Sequence, residues 1–308
     1  MSDAHTTVRI GTRGSPLALA QAHEVRDRLA AAHPGLTTEI VVIKTTGDKI
    51  LDRTLGEIGG KGLFTKEIEE ALLAGAIDLA VHSMKDMPTT LPDGLALSCI
   101  LEREDVRDAW ISPAAANLAD LPAGAVVGTA SLRRQAQILH RRPDLTVIPF
   151  RGNVQTRLRK LAEGAADATL LALAGLKRLG LRHEATALFE PDEMLPAVAQ
   201  GAIGLETRRD DARLGALLAP LHHPASARCI AAERALLAAL DGSCRTPIAA
   251  LARLNKAGGL SLIARIYRPD GSQMLEAMRR GPAGEGEAMG RDAGDELRGR
   301  AGPGFFTS

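Results

Sequence analysis

Val8-Arg9-Ile10-Gly11-Thr12-Arg13-Gly14-Ser15-Pro16 is the stretch on which the fold turns. Val8-Arg9-Ile10 is β-prone and a glycine-flanked turn follows it. Ser15 then suits a helix N-cap, and Pro16 the first helical position, where its missing N–H has no intrahelical acceptor to lose. The segment reads strand, turn, helix. Leu17, Val25 and Leu29 place one apolar face on a helix running to about Ala32, Pro34-Gly35 end it, and Thr38 to Thr45 is a β-branched run. The chain therefore opens as a βαβ unit.

Working outward, Phe64 to Ala74 reads as a helix. Ile77 to His82 reads as a buried strand whose carboxyl end delivers Ser83-Met84-Lys85-Asp86 into a loop before Pro88, the end at which open α/β sheets keep their chemistry. Between them, Thr46 to Gly62 is polar and glycine-bearing, with Lys49, Arg53 and Lys61; it is too long for an ordinary connection and reads as a mobile loop over a site. A second round of alternation follows: strand Val126 to Gly128, helix Ser131 to about Arg141, strand Val147 to Phe150, helix Val154 to Ala162, strand Thr169 to Ala172. This predicts parallel sheets covered by helices in two α/β units of similar layout. From about Pro224 the pattern changes to a long helix, Ala225 to about Leu240, and two β-prone runs, Ile248 to Leu254 and Leu260 to Arg268, which together predict a small α+β third domain. In Gly281 to Ser308 only Met289 to Leu297 reads as helical, and the last ten residues read as a frayed tail.

With 308 residues, 45% of them apolar, the chain buries a sizeable core and is not disordered as a whole. Its 38 Lys and Arg balance 37 Asp and Glu, so there is no global positive field for nucleic acid, and any basic site is local. Aromatic residues, at 2%, are too few for base-stacking platforms. No basic segment followed by an apolar run opens the chain, and no apolar run approaches the length of a membrane span, so neither secretion nor a membrane partner is expected. Cys99, Cys229 and Cys244 form an odd, sparse set without metal-ligand spacing, which predicts no metal and a reducing cytoplasm.

Arginines recur where strands end and helices begin: Arg13, Arg133-Arg134, Arg151 and Arg157. Guanidinium forks bind carboxylates bidentately, and helix N-termini add unpaired N–H groups. Any one of them alone reads as well as a solvated ion-pair partner. Five at equivalent positions point to an anionic ligand. Ser15, Thr129, Ser131 and Asn153 beside them either donate to the same anion or cap the helices. Asp86 after Lys85 suits either stabilisation of a cationic intermediate or an exposed turn, and His82 reads as a hydrogen-bonded core residue sooner than as a base. Cys244, between Ser243 and Arg245 in a loop, has the surroundings of a reactive thiol, able to act as a nucleophile or to hold a covalent group. Cys229 and Cys99 read as packing. Gly56 to Gly62 lacks P-loop spacing and no dinucleotide fingerprint opens a helix, so ATP and NAD are not expected.

Seven collinear blocks then resemble one family. They are Ile10-Gly11-Thr12-Arg13-Gly14-Ser15, Gly59-Gly60-Lys61-Gly62-Leu63-Phe64, His82-Ser83-Met84-Lys85-Asp86, Ser131-Leu132-Arg133-Arg134-Gln135, Arg151-Gly152-Asn153-Val154, Gly175-Leu176-Lys177-Arg178-Leu179-Gly180 and Gln200-Gly201. Together with Asp241-Gly242-Ser243-Cys244-Arg245-Thr246-Pro247 they resemble porphobilinogen deaminases, the transferases also called hydroxymethylbilane synthases. The resemblance implies an α/β fold of two domains like type II periplasmic binding proteins, residues 1–101 with 202–219 and residues 102–201, plus a small α+β domain over residues 220–308. It implies a cytoplasmic monomer of tetrapyrrole (haem) biosynthesis with a dipyrromethane cofactor attached through Cys244. Four porphobilinogens condense on this primer with loss of ammonia, and hydrolysis releases hydroxymethylbilane. Asp86 is implied to stabilise positive charge on pyrrole nitrogens. Carried over by position, Arg13, Ser15, Ser83, Lys85, Thr129, Ser131, Arg133, Arg134, Arg151, Gly152, Arg157, Arg178 and Gln200 hold cofactor or substrate, and Lys61 lies on the covering loop. Ala130 stands where the family often has a second serine, and Glu57 where a lysine occurs.

The competing class is a non-catalytic anion-binding protein, which two α/β lobes fit equally well and which the absent leader and Cys244 oppose. Nucleic-acid binding stands third, on the charge balance and scarce aromatics.

Overall fold

In the computed structural model, which describes residues 7–45, 65–242 and 246–306, the chain divides into two units. One holds residues 1–103 with 202–227, the other residues 104–201 with 228–308. The expected covering loop with Lys61, and Cys244 with its neighbours Ser243 and Arg245, lie outside the described residues.

The first unit is built on β1 (Val8–Thr12), β2 (Thr38–Val42), β3 (Leu79–Ser83), β4 (Leu95–Ile100) and β10 (Ile203–Arg208), in the order β2-β1-β3-β10-β4. The opening stretch folds as read. Ser15 caps the helix Pro16–Ala32, its Oγ accepting from the Ala18 N–H at 3.3 Å. The helix buries Ala22, Val25 and Leu29 against Val8, Ile10, Leu79, Val81 and Leu205. Val25 and Leu29 each contribute about 1.5–3 kcal/mol by leaving water. Leu17 is only half-buried. On the other face the helix Lys66–Leu73 packs Ile68 and Leu72 with Ile77 and Leu95.

The second unit repeats this order with β5 (Asp108–Ile111), β6 (Val126–Gly128), β7 (Thr146–Ile148), β8 (Ala168–Ala172) and β9 (Ala187–Leu188), arranged β7-β6-β8-β5-β9. Its covering helices are Leu132–Arg141, Val154–Ala162 and Leu173–Arg178. Trp110, Val127, Ile138 and Leu170 fill one face, Ile111, Phe150, Leu171 and Leu176 the other. The expectation of two like α/β units holds, but that of parallel sheets does not. β10 runs antiparallel to β3 and β4, and β5 antiparallel to β8 and β9. The two reversed strands are the first that the chain lays down after passing from one unit to the other. A strand's apolar pattern carries no record of its direction, so periodicity alone missed this.

Within the second unit a separate antiparallel sheet holds β11 (Ile248–Leu254), β12 (Gly259–Tyr267) and β13 (Met274–Pro282), with the helices Pro224–Ala239, which begins in the first unit, and Gly286–Ala301. The frayed tail is corrected here. The last helix runs to Ala301, and Phe305 beyond it is 2% exposed, edge-on to Phe306 with the Arg268 guanidinium over its ring. Gly286, Gly290 and Gly294 recur every four residues on one face. A Cβ on Gly290 would strike the carbonyl oxygen of Ala232, and one on Gly294 would come within 2.6 Å of Ala239 Cβ. These glycines let two helices touch backbone to backbone and do not mark flexible chain.

Candidate functional site

In the first unit the carboxyl ends of β1 and β3 meet. β1 delivers Arg13 and Ser15; Thr12, just before them, is fully buried and its hydroxyl donates to the Ala18 carbonyl at 3.2 Å. β3 ends at Ser83 and passes into a single 3-10 turn, Met84–Asp86. Gln21 ties the two ends together: its Nε2 donates to Ser83 Oγ at 2.9 Å and its Oε1 lies 3.1 Å from the same hydroxyl. Arg13, Ser15, Gln21, His82, Ser83 and Asp86 line one cavity there.

Within His82-Ser83-Met84-Lys85-Asp86 the structure separates packing from display. His82 is 6% exposed with Nε2 3.0 Å from Glu206 Oε2, as expected of a core histidine. Met84 is buried, and its sulfur fills the place that a Cβ on Gly204 would take. Lys85 is half-buried, and Asp86 is exposed with no side-chain partner among the described residues. Burial pushes the Glu69 carboxyl up, and the charge of Glu206 adds to the rise. Cys99 in β4 is fully buried, and its thiol is pushed up to about 12 by that burial. With Cys229 also buried, both cysteines sit where packing residues were expected.

In the second unit the same strand ends carry helix caps. After β6, Thr129 Oγ1 accepts from the Ser131 N–H at 3.2 Å, and Ser131 caps the helix Leu132–Arg141 by accepting from the Arg134 N–H. After β7, Asn153 caps the helix Val154–Ala162, accepting from the Thr156 N–H at 2.8 Å. Gly152 has φ +121°, and a Cβ there would meet Thr156 at 2.6 Å, so the turn between Arg151 and the helix demands glycine. The Gly152 carbonyl accepts from Arg157 Nε at 2.9 Å, and that of Arg151 from Lys160 Nζ at 3.2 Å. Arg178 donates to the Gly201 carbonyl at 3.2 Å.

Of the arginines at these strand ends, Arg133 and Arg134 are buried, at 4% and 5% exposure. Each guanidinium reaches a backbone carbonyl, Arg133 that of Leu195 and Arg134 that of Leu170, both at 2.8 Å. Both also converge on the fully buried carboxylate of Asp108, at 2.8 and 2.7 Å. Gln200 donates to the same carboxylate at 3.0 Å. Burial alone would raise the Asp108 carboxyl; Arg133 and Arg134 hold it well below the usual carboxylate range. Burial pulls Arg133 down from its ordinary value, with Asp108 opposing. Sequence reading missed Asp108 and Gln21; an acid opening the apolar run Ala109-Trp110-Ile111 is the one local hint of the former.

Two family models cover this chain: "Porphobilinogen deaminase, dipyromethane cofactor binding domain" over residues 8–216 and "Porphobilinogen deaminase, C-terminal domain" over residues 227–299. The chain belongs to the porphobilinogen deaminase family. It is 62% identical to the porphobilinogen deaminase of Paracoccus denitrificans (strain Pd 1222) over 99% of its own length and 98% of that protein. To the chloroplastic porphobilinogen deaminase of Oryza sativa subsp. japonica it is 60% identical, over 98% and 86%. Among solved structures it is similar to the methionine-binding protein MetQ, with a TM-score of 0.45 and 15% identity over 70% of this chain and 90% of that one.

A porphobilinogen deaminase of this family carries a dipyrromethane-binding domain. Dipyrromethane bears several carboxylates, and the donors here suit it: the Nε N–H groups of Arg133 and Arg134 are buried without an acceptor among the described residues. Such N–H groups call for an acceptor, and a carboxylate is one that suits a guanidinium. Among the described residues no cluster of His, Cys, Asp and Glu is suited to a metal, and no helix is long and apolar enough to cross a membrane.

Proposed function

We infer that this chain is a porphobilinogen deaminase, a transferase that joins four porphobilinogens head to tail with loss of ammonia and releases hydroxymethylbilane by hydrolysis. The observation that carries the reading is the match of both family domains in order along the chain, over residues 8–216 and 227–299. Dipyrromethane, bound through Cys244, supplies the primer with a free pyrrole α-carbon. Arg13, Ser15 and Lys85 in the first unit, and Thr129, Ser131, Arg133, Arg134, Arg151, Gly152, Arg157, Arg178 and Gln200 in the second, are assigned to the carboxylates of cofactor and substrate. Lys61 is assigned to the covering loop and Ser83 to binding cofactor or substrate. Asp86, an exposed carboxylate in a short turn, offers negative charge to pyrrole nitrogens as they become cationic. Its Oδ atoms are also free to hold a proton lost from a nitrogen or carbon of the substrate.

The same reading assigns three domains, residues 1–101 with 202–219, 102–201 and 220–308, to a cytoplasmic monomer. Intact mass of the purified chain tests the function: wild type heavier than its sequence by two condensed pyrrole units, and Cys244→Ser at the bare mass, support it. A wild-type chain at the bare mass, with no hydroxymethylbilane formed from porphobilinogen, overturns it.

A further inference from the structure

Asp108 opens β5 and gathers three side chains from two distant points of its own unit: Arg133 and Arg134 at the start of one helix, and Gln200. Each arginine is fixed at a second point by a carbonyl, of Leu195 or of Leu170. The geometry of both guanidinium planes is thus set by one carboxylate between them. Two positive charges around one negative leave a surplus of positive charge away from water; both Nε N–H groups lack acceptors among the described residues, and Asp108 Oδ2 meets Arg133 as an ion pair and not as a hydrogen bond. Fully buried ion clusters are poor stabilisers: apolar side chains of the same volume serve a core at least as well. What the cluster offers instead is a preformed, rigid pair of cations.

We propose that Asp108 is a positioning residue for the reaction, holding the Arg133 and Arg134 forks in the one arrangement that leaves their surplus charge available to a carboxylate of the bound pyrrole chain. This rests on the reading of the chain as a porphobilinogen deaminase. Gln200 adds a third side chain to the cluster, donating to Asp108 at 3.0 Å and to the Val106 carbonyl at 2.7 Å.

The test compares Asp108→Asn with Trp110→Phe in the full-length chain. Trp110 lies on the same strand, buried, its indole N–H donating to the Ala115 carbonyl at 3.0 Å, and it carries no charge to set either guanidinium. Far-UV circular dichroism and Tm measure the fold of each variant, and intact mass measures the fraction carrying the two added pyrrole units. Asp108→Asn is expected to fold yet to load about tenfold less than Trp110→Phe when the two are compared at equal Tm, the size of effect that follows from misplacing a charge-assisted hydrogen bond. If the Asn variant does not fold, Asp108→Glu carries the test: it keeps the charge and shifts it by one methylene, so a folded, poorly loaded Glu variant supports the assignment. A folded Asp108 variant loaded like wild type, or loading that merely tracks Tm across both positions, overturns it. A wild-type chain at its bare mass overturns instead the reading on which the proposal rests, and the proposal with it.

Discussion

His82 Nε2 lies 3.0 Å from Glu206 Oε2 across the antiparallel pair β3 and β10, with both side chains closed off from water. Four residues further on, Asp86 stands exposed. One short motif therefore holds a clamp for the sheet and an exposed charge, the one proposed to serve the reaction, and the two separate by experiment.

His82→Ala strands the Glu206 carboxylate in the core, and we expect a loss of about 2 kcal/mol or more in unfolding free energy, read from denaturant titration. A stability within about 0.5 kcal/mol of wild type, the range of ordinary surface changes, would sink this assignment.

Asp86→Ala is expected to do the reverse. Unfolding stays within about 0.5 kcal/mol of wild type because the side chain is exposed. Turnover of porphobilinogen falls by about a hundredfold or more, the usual loss when a charge aimed at the transition state is removed. Near-normal formation of hydroxymethylbilane by this variant would refute the role.

Gly290→Ala tests the close helix pair. The new methyl meets the Ala232 carbonyl oxygen, which is backbone and cannot swing aside. Overpacking of this kind costs about 1–3 kcal/mol, whereas Gly284→Ala, with nothing near the added Cβ, serves as the neutral control. Equal Tm values for the two would overturn the packing account.

Arg9 binds Asp78 through its backbone N–H at 2.8 Å and its guanidinium at 3.0 Å, which anchors the first strand. Burial would raise the Asp78 carboxyl, but Arg9, helped by the charge of Arg213, lowers it. A depressed carboxyl contributes stability above its unfolded pKa of about 3.9 and loses it as pH falls through the folded value. The Tm gap between wild type and Asp78→Asn should thus be steady from about pH 5 upward and close in more acid solution. A gap unchanged into strong acid would contradict the pairing.

Cys99 should remain a thiol throughout the neutral and mildly alkaline range, since burial places it near 12. Alkylation of the native chain at about pH 8, followed by peptide mapping, is expected to leave Cys99 unmodified until denaturant is added. Rapid native labelling at Cys99 would show the β4 core to be open.

Much of this was legible because the signals are local. Ser15, Ser131 and Asn153 announce their helices through a side-chain oxygen and an N–H three residues on, and the motifs around Arg13, Asp86 and Arg151 stand at strand ends in the order the chain predicts. The C-terminal helix was only partly legible. Its glycines depress helix propensity and read as loop, and only a partner helix with alanines at the facing positions turns them into a packing surface.

The sequence by itself determined the order of strands and helices, the caps, the packing role of Cys99 and Cys229 and the set of cations, because each depends on neighbours within a turn or two of chain. Tertiary structure decided the direction of β5 and β10 and the burial of Arg133 and Arg134. It also decided the place of Asp108, which lies 26 residues from Arg134 and 92 from Gln200. Contacts over such separations are selected by the burial of charge and apolar area in the folded whole, and no local pattern encodes them.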